Sequence, residues 1–154
     1  MEESLEQKKR RLFGKQYLDE YQEIIEKITN NDFKILSIVE TDKLIEKESK
    51  LKLRFSKKIL FNDKEELKRI TFNNFNAKDS VYIFTSLSRD CGAVLIDSIN
   101  SFNFNFNFMD DHSGIISLIS SDVKNKILLD FYEEDGLLYL EIESYLFLNI
   151  VVHL

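Results

Sequence analysis

The chain has 154 residues, 44% of them hydrophobic and 31% charged, a size and balance that suit one globular domain and exclude a disordered or fibrous protein. A single cysteine, Cys91, excludes an internal disulfide, and no run approaches the ~18 apolar residues of a bilayer span. The net charge of −6 is uneven, with 18 basic and 15 acidic residues in 1–78 against 3 and 12 in 79–154, and so acidic a second half repels phosphate backbones while steering cationic partners inward.

Ser4 and Gln7 have capping-box spacing, and Phe13, Tyr17, Tyr21, Ile24 and Ile28 recur every three or four residues, which predicts one helix from about Leu5 to Ile28. Gly14 inside it costs about 1 kcal/mol relative to Ala, so the basic start can bend, and Asn30-Asn31 supplies the stop. DFKILSIVETDKLIEKES reads as a charged helix, and LKLRF and KILF as two short strands. A further helix is expected from Asp63 to Phe72, capped by Asn62 with Glu65, and Asn73 to Asp79 reads as a joint.

The period then changes to two. VYIFTSLS (81–88) is a β-branched and aromatic run, hence a strand. The stretch from Asp90 to Ser101 reads as a helix, with Cys91, Val94, Leu95 and Ile99 on one face, although Ala93 to Ile96 also suits a strand. In SFNFNFNFM, Phe102, Phe104, Phe106 and Phe108 alternate with asparagines, which predicts a strand with one apolar face. Gly114–Ser120 and Lys126–Glu133 make two more strands, and Asp135-Gly136 is a hairpin turn. After it Leu138, Leu140 and Ile142 face in, while Tyr139, Glu141 and Glu143 face out. The apolar tail, Tyr145 to Leu154, is expected to pack as a further strand. The sum is an α+β single domain, 1–154, in which N-terminal helices (zone 1–78) pack on a mostly antiparallel β-meander (zone 79–154).

Chemistry is sparse. The phenylalanine row could stack bases, but its neighbours are asparagines and Asp110-Asp111 rather than basic residues, so it reads as core. Asp110, Asp111 and His112 are suitable ligands for a divalent metal in a small hydrolase, yet adjacent loop residues rarely converge on one ion and His153 is the sole other histidine. Cys91 with His112 would be a nucleophile and its base; buried cysteine is more often a small apolar side chain. Lys8, Lys9, Arg10 and Arg11 could serve a nucleic-acid-binding regulator, although Glu2, Glu3 and Glu6 offset their field. No nucleotide-loop, hydrolase-elbow or zinc spacing occurs. No catalytic residue, cofactor or metal is therefore expected, and no enzyme.

The acidic residues are more suggestive. Glu133, Glu134 and Asp135 sit at the predicted hairpin tip, and Asp110 and Asp111 in a turn at the same end of the meander. Asp97, Asp130, Glu141 and Glu143 extend them over the outer face, where Tyr132 and Tyr139 are candidate anchors for a basic partner.

Residues 81–145, with SRDCGAVLIDSINSFNFNFNFMDDHSGIISLIS and KILLDFYEEDGLLYLEIESY, resemble the immunity proteins that accompany contact-dependent growth-inhibition toxins of Gram-negative bacteria. The resemblance implies a small cytoplasmic protein that binds the C-terminal toxin domain of its cognate effector, often a nuclease such as a tRNase, and blocks it. Its expected partner is that basic domain, with neither nucleic acid nor membrane. Asp110, Asp111, Asp130, Tyr132, Glu133, Glu134, Asp135, Tyr139, Glu141 and Glu143 would form the contact.

Overall fold

The computed structural model describes residues 2–30, 32–111 and 113–148. The chain runs through α1 (Leu5–Gly14), a 3-10 turn (Lys15–Tyr17), α2 (Leu18–Ile28), β1 (Phe33–Ile35), α3 (Ile38–Glu48), β2 (Lys52–Leu60) and α4 (Lys64–Asn74). It continues with β3 (Val81–Phe84), the single-turn α5 (Ser88–Cys91), β4 (Val94–Ile96), β5 (Ile115–Ser120), β6 (Asn125–Glu134) and β7 (Leu137–Leu146). The seven strands form one sheet in the order β1-β4-β3-β5-β6-β7-β2, antiparallel at every pairing. This is the expected α+β class, and strands from the first half, β1 and β2, supply both edges of the sheet.

Local signals explain most boundaries. The Ser4–Gln7 capping box forms, and a second, Ser37 with Glu40, starts α3. The expected continuous helix over 5–28 is instead two, broken by the 3-10 turn after Gly14. The cause is packing: a Cβ on Gly14 would lie 2.2 Å from the Asp90 carbonyl oxygen, so α1 and α5 touch backbone to backbone there. Arg10 fixes the same joint, with bonds of 2.9 and 2.8 Å to the Asp42 carboxylate and one of 2.7 Å to the Arg89 carbonyl. Asp63, not Asn62, caps α4, accepting from the Glu66 amide.

Other expectations fail, among them the strand over 81–88, which ends at Phe84 before α5 begins at Ser88. The segment read as helix from Phe33 opens instead with the short strand β1, and the two short strands expected after α3 are one, β2, with a register shift between Leu53 and Phe55. Asp90–Ser101 is not a helix but the end of α5, then β4 and a 3-10 turn. The phenylalanine row is not a strand either. Apart from one bridge between Thr29 and Phe102, beside which Asn103 N donates to the Ile28 carbonyl, it is an irregular segment with local backbone bonds: Asn105 N donates to Asn103 Oδ1, and Asp110 Oδ2 accepts from Asn107 N. The alternation still sorts the side chains, for Phe102, Phe104 and Phe106 are buried and Phe108 partly so.

Those rings and helices α2 and α4 cover one face of the sheet. Phe106 packs on Phe61 (5.4 Å between centroids, edge to face) and on Phe131 (5.4 Å), joining the segment to Ile25, Leu67, Ile116 and Leu140 in one core. Tyr21 of α2, fully buried, donates to the Gly92 carbonyl at 2.6 Å. On the opposite face α3 lays Leu44 over Ile119, beside Tyr82, Phe84 and Leu95. It stops at β6, where Lys126 reaches Glu48 at 2.7 Å. The tail expected as a strand is ordered in β7 as far as Leu146, and 149–154 lie outside the described residues.

Candidate functional site

Beyond Lys126 no helix among the described residues packs on the second face of the sheet. The Asp135-Gly136 turn, with φ of 53° and 79°, gives the left-handed pair of a tight hairpin and sets the β6–β7 register: Lys126↔Tyr145, Leu128↔Glu143, Asp130↔Glu141, Tyr132↔Tyr139, Glu134↔Leu137. All these side chains share the face opposite the core, because Ile127, Leu129, Phe131, Leu140 and Ile142 point inward. β2 extends the surface, with Lys58 opposite Glu141 and Leu60 opposite Tyr139, and Ile115 of β5 lies opposite Asp130.

Three carboxylates occupy the middle: Asp130, Glu141 and Glu143. Burial, then repulsion from Glu141 and Glu143, holds the Asp130 carboxyl above its ordinary value. Tyrosines fix the glutamates, since the Tyr132 hydroxyl donates to Glu141 Oε1 at 2.9 Å and the Tyr145 hydroxyl to Glu143 Oε1 at 3.2 Å. Burial first, and the adjacent carboxylates with it, raise the titration of both phenols, which keeps them protonated and donating. The nearest lysines are engaged elsewhere. Lys58 sits 4.2 Å from the Tyr139 ring centroid and pairs with Glu134 at 3.6 Å, and Lys126 is bound to Glu48. Among the described residues no lysine or arginine forms an ion pair with Asp130, Glu141 or Glu143.

The sequence-derived candidates therefore divide. Asp130, Tyr132, Glu134, Tyr139, Glu141 and Glu143 are brought together on the open face; Glu133 and Asp135 are exposed at its hairpin end. Asp111 is only 3% exposed; its Oδ1 accepts from the Ser113 amide and hydroxyl at 3.1 and 2.9 Å, so it shapes the turn into β5 and is not presented to a partner. Asp110 caps the preceding 3-10 turn and lies near enough to Lys64 of α4 to favour its charged form. Both belong to the helix-covered side, not to the acidic row. Asp97 follows β4, three strands from β6. Leu60, Ile115 and Leu137 are exposed at the hairpin end of the row, and with Lys58 they are what sequence reasoning missed. Ile115 and Leu137 were readable as strand-end residues; Lys58 and Leu60 reach the site only through the long-range β2–β7 pairing.

The alternative chemistries gain little. His112 and His153 lie outside the described residues, and no three metal-binding side chains cluster among those described. Burial, then Asp90 and Glu20, pushes the Cys91 thiol up to about 11, the reverse of what a nucleophile requires. In the basic helix start, Arg10 is held by Asp42 and Arg11 by Glu3. No helix among the described residues is long and apolar enough to cross a membrane. Comparison with protein-family models, with curated proteins and with solved structures finds no match.

Proposed function

We propose that this protein is a stoichiometric inhibitor of the contact-dependent growth-inhibition immunity class, which binds the basic C-terminal nuclease domain of a cognate effector and excludes its RNA substrate. The observation that carries this reading is the row of Asp130, Glu141 and Glu143, set on strands, its glutamates held by tyrosine hydroxyls and, among the described residues, without an ion-pair partner. A nuclease must line its substrate groove with Lys and Arg, and such groups form short charge-assisted bonds to fixed carboxylates. Tyr132 and Tyr139, flanked by Leu60, Ile115 and Leu137, supply the large amphipathic side chains in which binding energy concentrates.

Occlusion needs no chemistry from the inhibitor. Repulsion within the row is relieved when a partner's cations arrive, so the surface is costly when bare and favourable when covered. The direct test is co-expression with the C-terminal toxin domain of the cognate effector that the proposal requires. The expected result is a one-to-one complex that survives gel filtration and no longer cleaves tRNA. Elution of the two polypeptides apart, with cleavage undiminished, would overturn the reading.

A further inference from the structure

On the far side of α3 the same sheet face carries a surface of opposite sign. Lys34 of β1, Leu95 of β4 and Tyr82 of β3 are cross-strand neighbours, and α3 presents Glu40, Lys43, Leu44 and Lys47 toward them across a groove of about 360 Å³. Leu36, Leu95 and Val123 supply apolar lining, with Ser121 beside them. Lys47 and Val123 also line a second hollow of about 220 Å³, together with Lys50, Lys124, Asp122 and Phe147. Five lysines thus border two hollows that share Lys47 and Val123, on a chain whose net charge is −6.

Their charges are answered only in part: Glu40, its carboxyl held low first by hydrogen bonds at Ser37, also feels Lys34 and Lys43. Among the described residues none of the five forms an ion pair. The two carboxylates in the lining also hold local turns: Glu40 accepts from the Ser37 amide in the capping box at 3.3 Å, and Asp122 accepts from the Ser120 hydroxyl and the Lys124 amide at 2.6 and 3.1 Å. The junction of the two hollows is strained, since Val123 holds a φ of 55°, a conformation that a branched side chain strongly disfavours. That turn holds Val123 in the lining of both hollows.

We infer that this groove is a binding site for an organic phosphate of nucleoside diphosphate size, its charged end among Lys43, Lys47 and Lys124 and its ring or apolar body against Tyr82, Leu95 and Val123. Lysines spaced around a hollow act as separate point charges suited to a multiply charged phosphate, and the acidic-peptide arm of the test separates phosphate from carboxylate. The first hollow alone lies within the volume range of small-molecule sites. The inference is independent of the acidic row and of the proposed inhibitor role.

The test is titration of the full chain with ADP, with inorganic pyrophosphate and with a Glu-rich peptide, followed by calorimetry and by amide NMR at 50 mM salt. Expected are a sub-millimolar ADP dissociation constant, shifts at Tyr82 and Val123, at least fivefold weaker pyrophosphate binding, and at least tenfold loss of ADP affinity in Lys43→Gln/Lys47→Gln. A control, Lys57→Gln, on exposed β2, leaves ADP affinity unchanged. The inference is overturned by no ADP binding, by equal affinity in the double variant, by pyrophosphate binding as well as ADP, or by the acidic peptide binding more tightly than either.

Discussion

Asp130 and Glu141 face each other directly across the β6–β7 ladder, two carboxylates in register with Glu143 diagonal to them. Like charges so placed destabilise a sheet, by an amount comparable to the roughly 0.2–1 kcal/mol of a favourable cross-strand pair. A sheet face kept only for solubility has no need of that arrangement, whereas a surface built to be covered by cations gains from it.

Asp130→Asn is therefore expected to stabilise the isolated protein at pH 7 by about 0.2–1 kcal/mol while weakening partner binding. The Asp130 carboxyl titrates above its ordinary 3.8 in the folded chain, so its contribution to stability is complete below that value and is lost as pH rises through the raised one. Urea midpoints should accordingly match at pH 3.5 and diverge in the variant's favour by pH 7. A variant less stable than the parent at pH 7 would contradict this.

Lys64 offers the opposite sign. Its ammonium lies 3.7 and 4.0 Å from the ring centroids of Phe61 and Phe106, and burial lowers its titration to about 8, against a small opposing pull from Asp110. A depressed lysine contributes stability that is present above its unfolded value of 10.5 and lost as pH falls through about 8. Relative to Lys64→Met, the parent should gain stability between pH 8 and pH 10.5. A difference flat in pH would show that Lys64 is not desolvated.

Gly14→Ala sets two effects against each other. Helix propensity favours Ala by about 1 kcal/mol, but the new methyl would meet the Asp90 carbonyl oxygen at 2.2 Å and its carbon at 2.7 Å, backbone that cannot swing aside. Overpacking of about 1–3 kcal/mol should dominate, giving a lower midpoint in thermal unfolding. A more stable variant would mean that α1 and α5 part easily.

Phe106→Ala should cost about 3–5 kcal/mol, as for a ring deep in a core, because Phe106 touches Phe61, Phe102 and Phe131. Asn105→Ser, on the exposed side of the same segment, should stay within about 0.5 kcal/mol. Similar losses at the two positions in chemical denaturation would remove the segment from the core.

What could be read from the sequence follows from how local each signal is. The Asp135-Gly136 turn and the Tyr/Glu against Leu/Ile alternation of β7 lie within a dozen residues, and they placed Tyr132, Tyr139, Glu141 and Glu143 on one face correctly. Alternation at Phe102–Phe108 reports only which side chains are buried; whether the backbone pairs with a strand depends on neighbours, and here asparagine side chains and Asp110 take that role. β4 is three residues long, too short to show a period. β2 pairs with β7 across some eighty residues, and no local pattern could announce that Lys58 and Leu60 would border the acidic row. The burial of Asp111 was equally invisible, since an Asp beside another Asp in a polar loop reads as solvated.

The central claim is tested most directly by the dissociation constant and salt dependence of binding to the proposed partner, the basic toxin domain of a contact-dependent growth-inhibition effector, comparing the parent chain with Glu141→Lys/Glu143→Lys. Both side chains are partly exposed, so the variant should fold. The row as a cation-binding surface predicts at least a hundredfold weaker binding and a markedly shallower rise of the dissociation constant with salt. An unchanged affinity with an unchanged salt slope would contradict it.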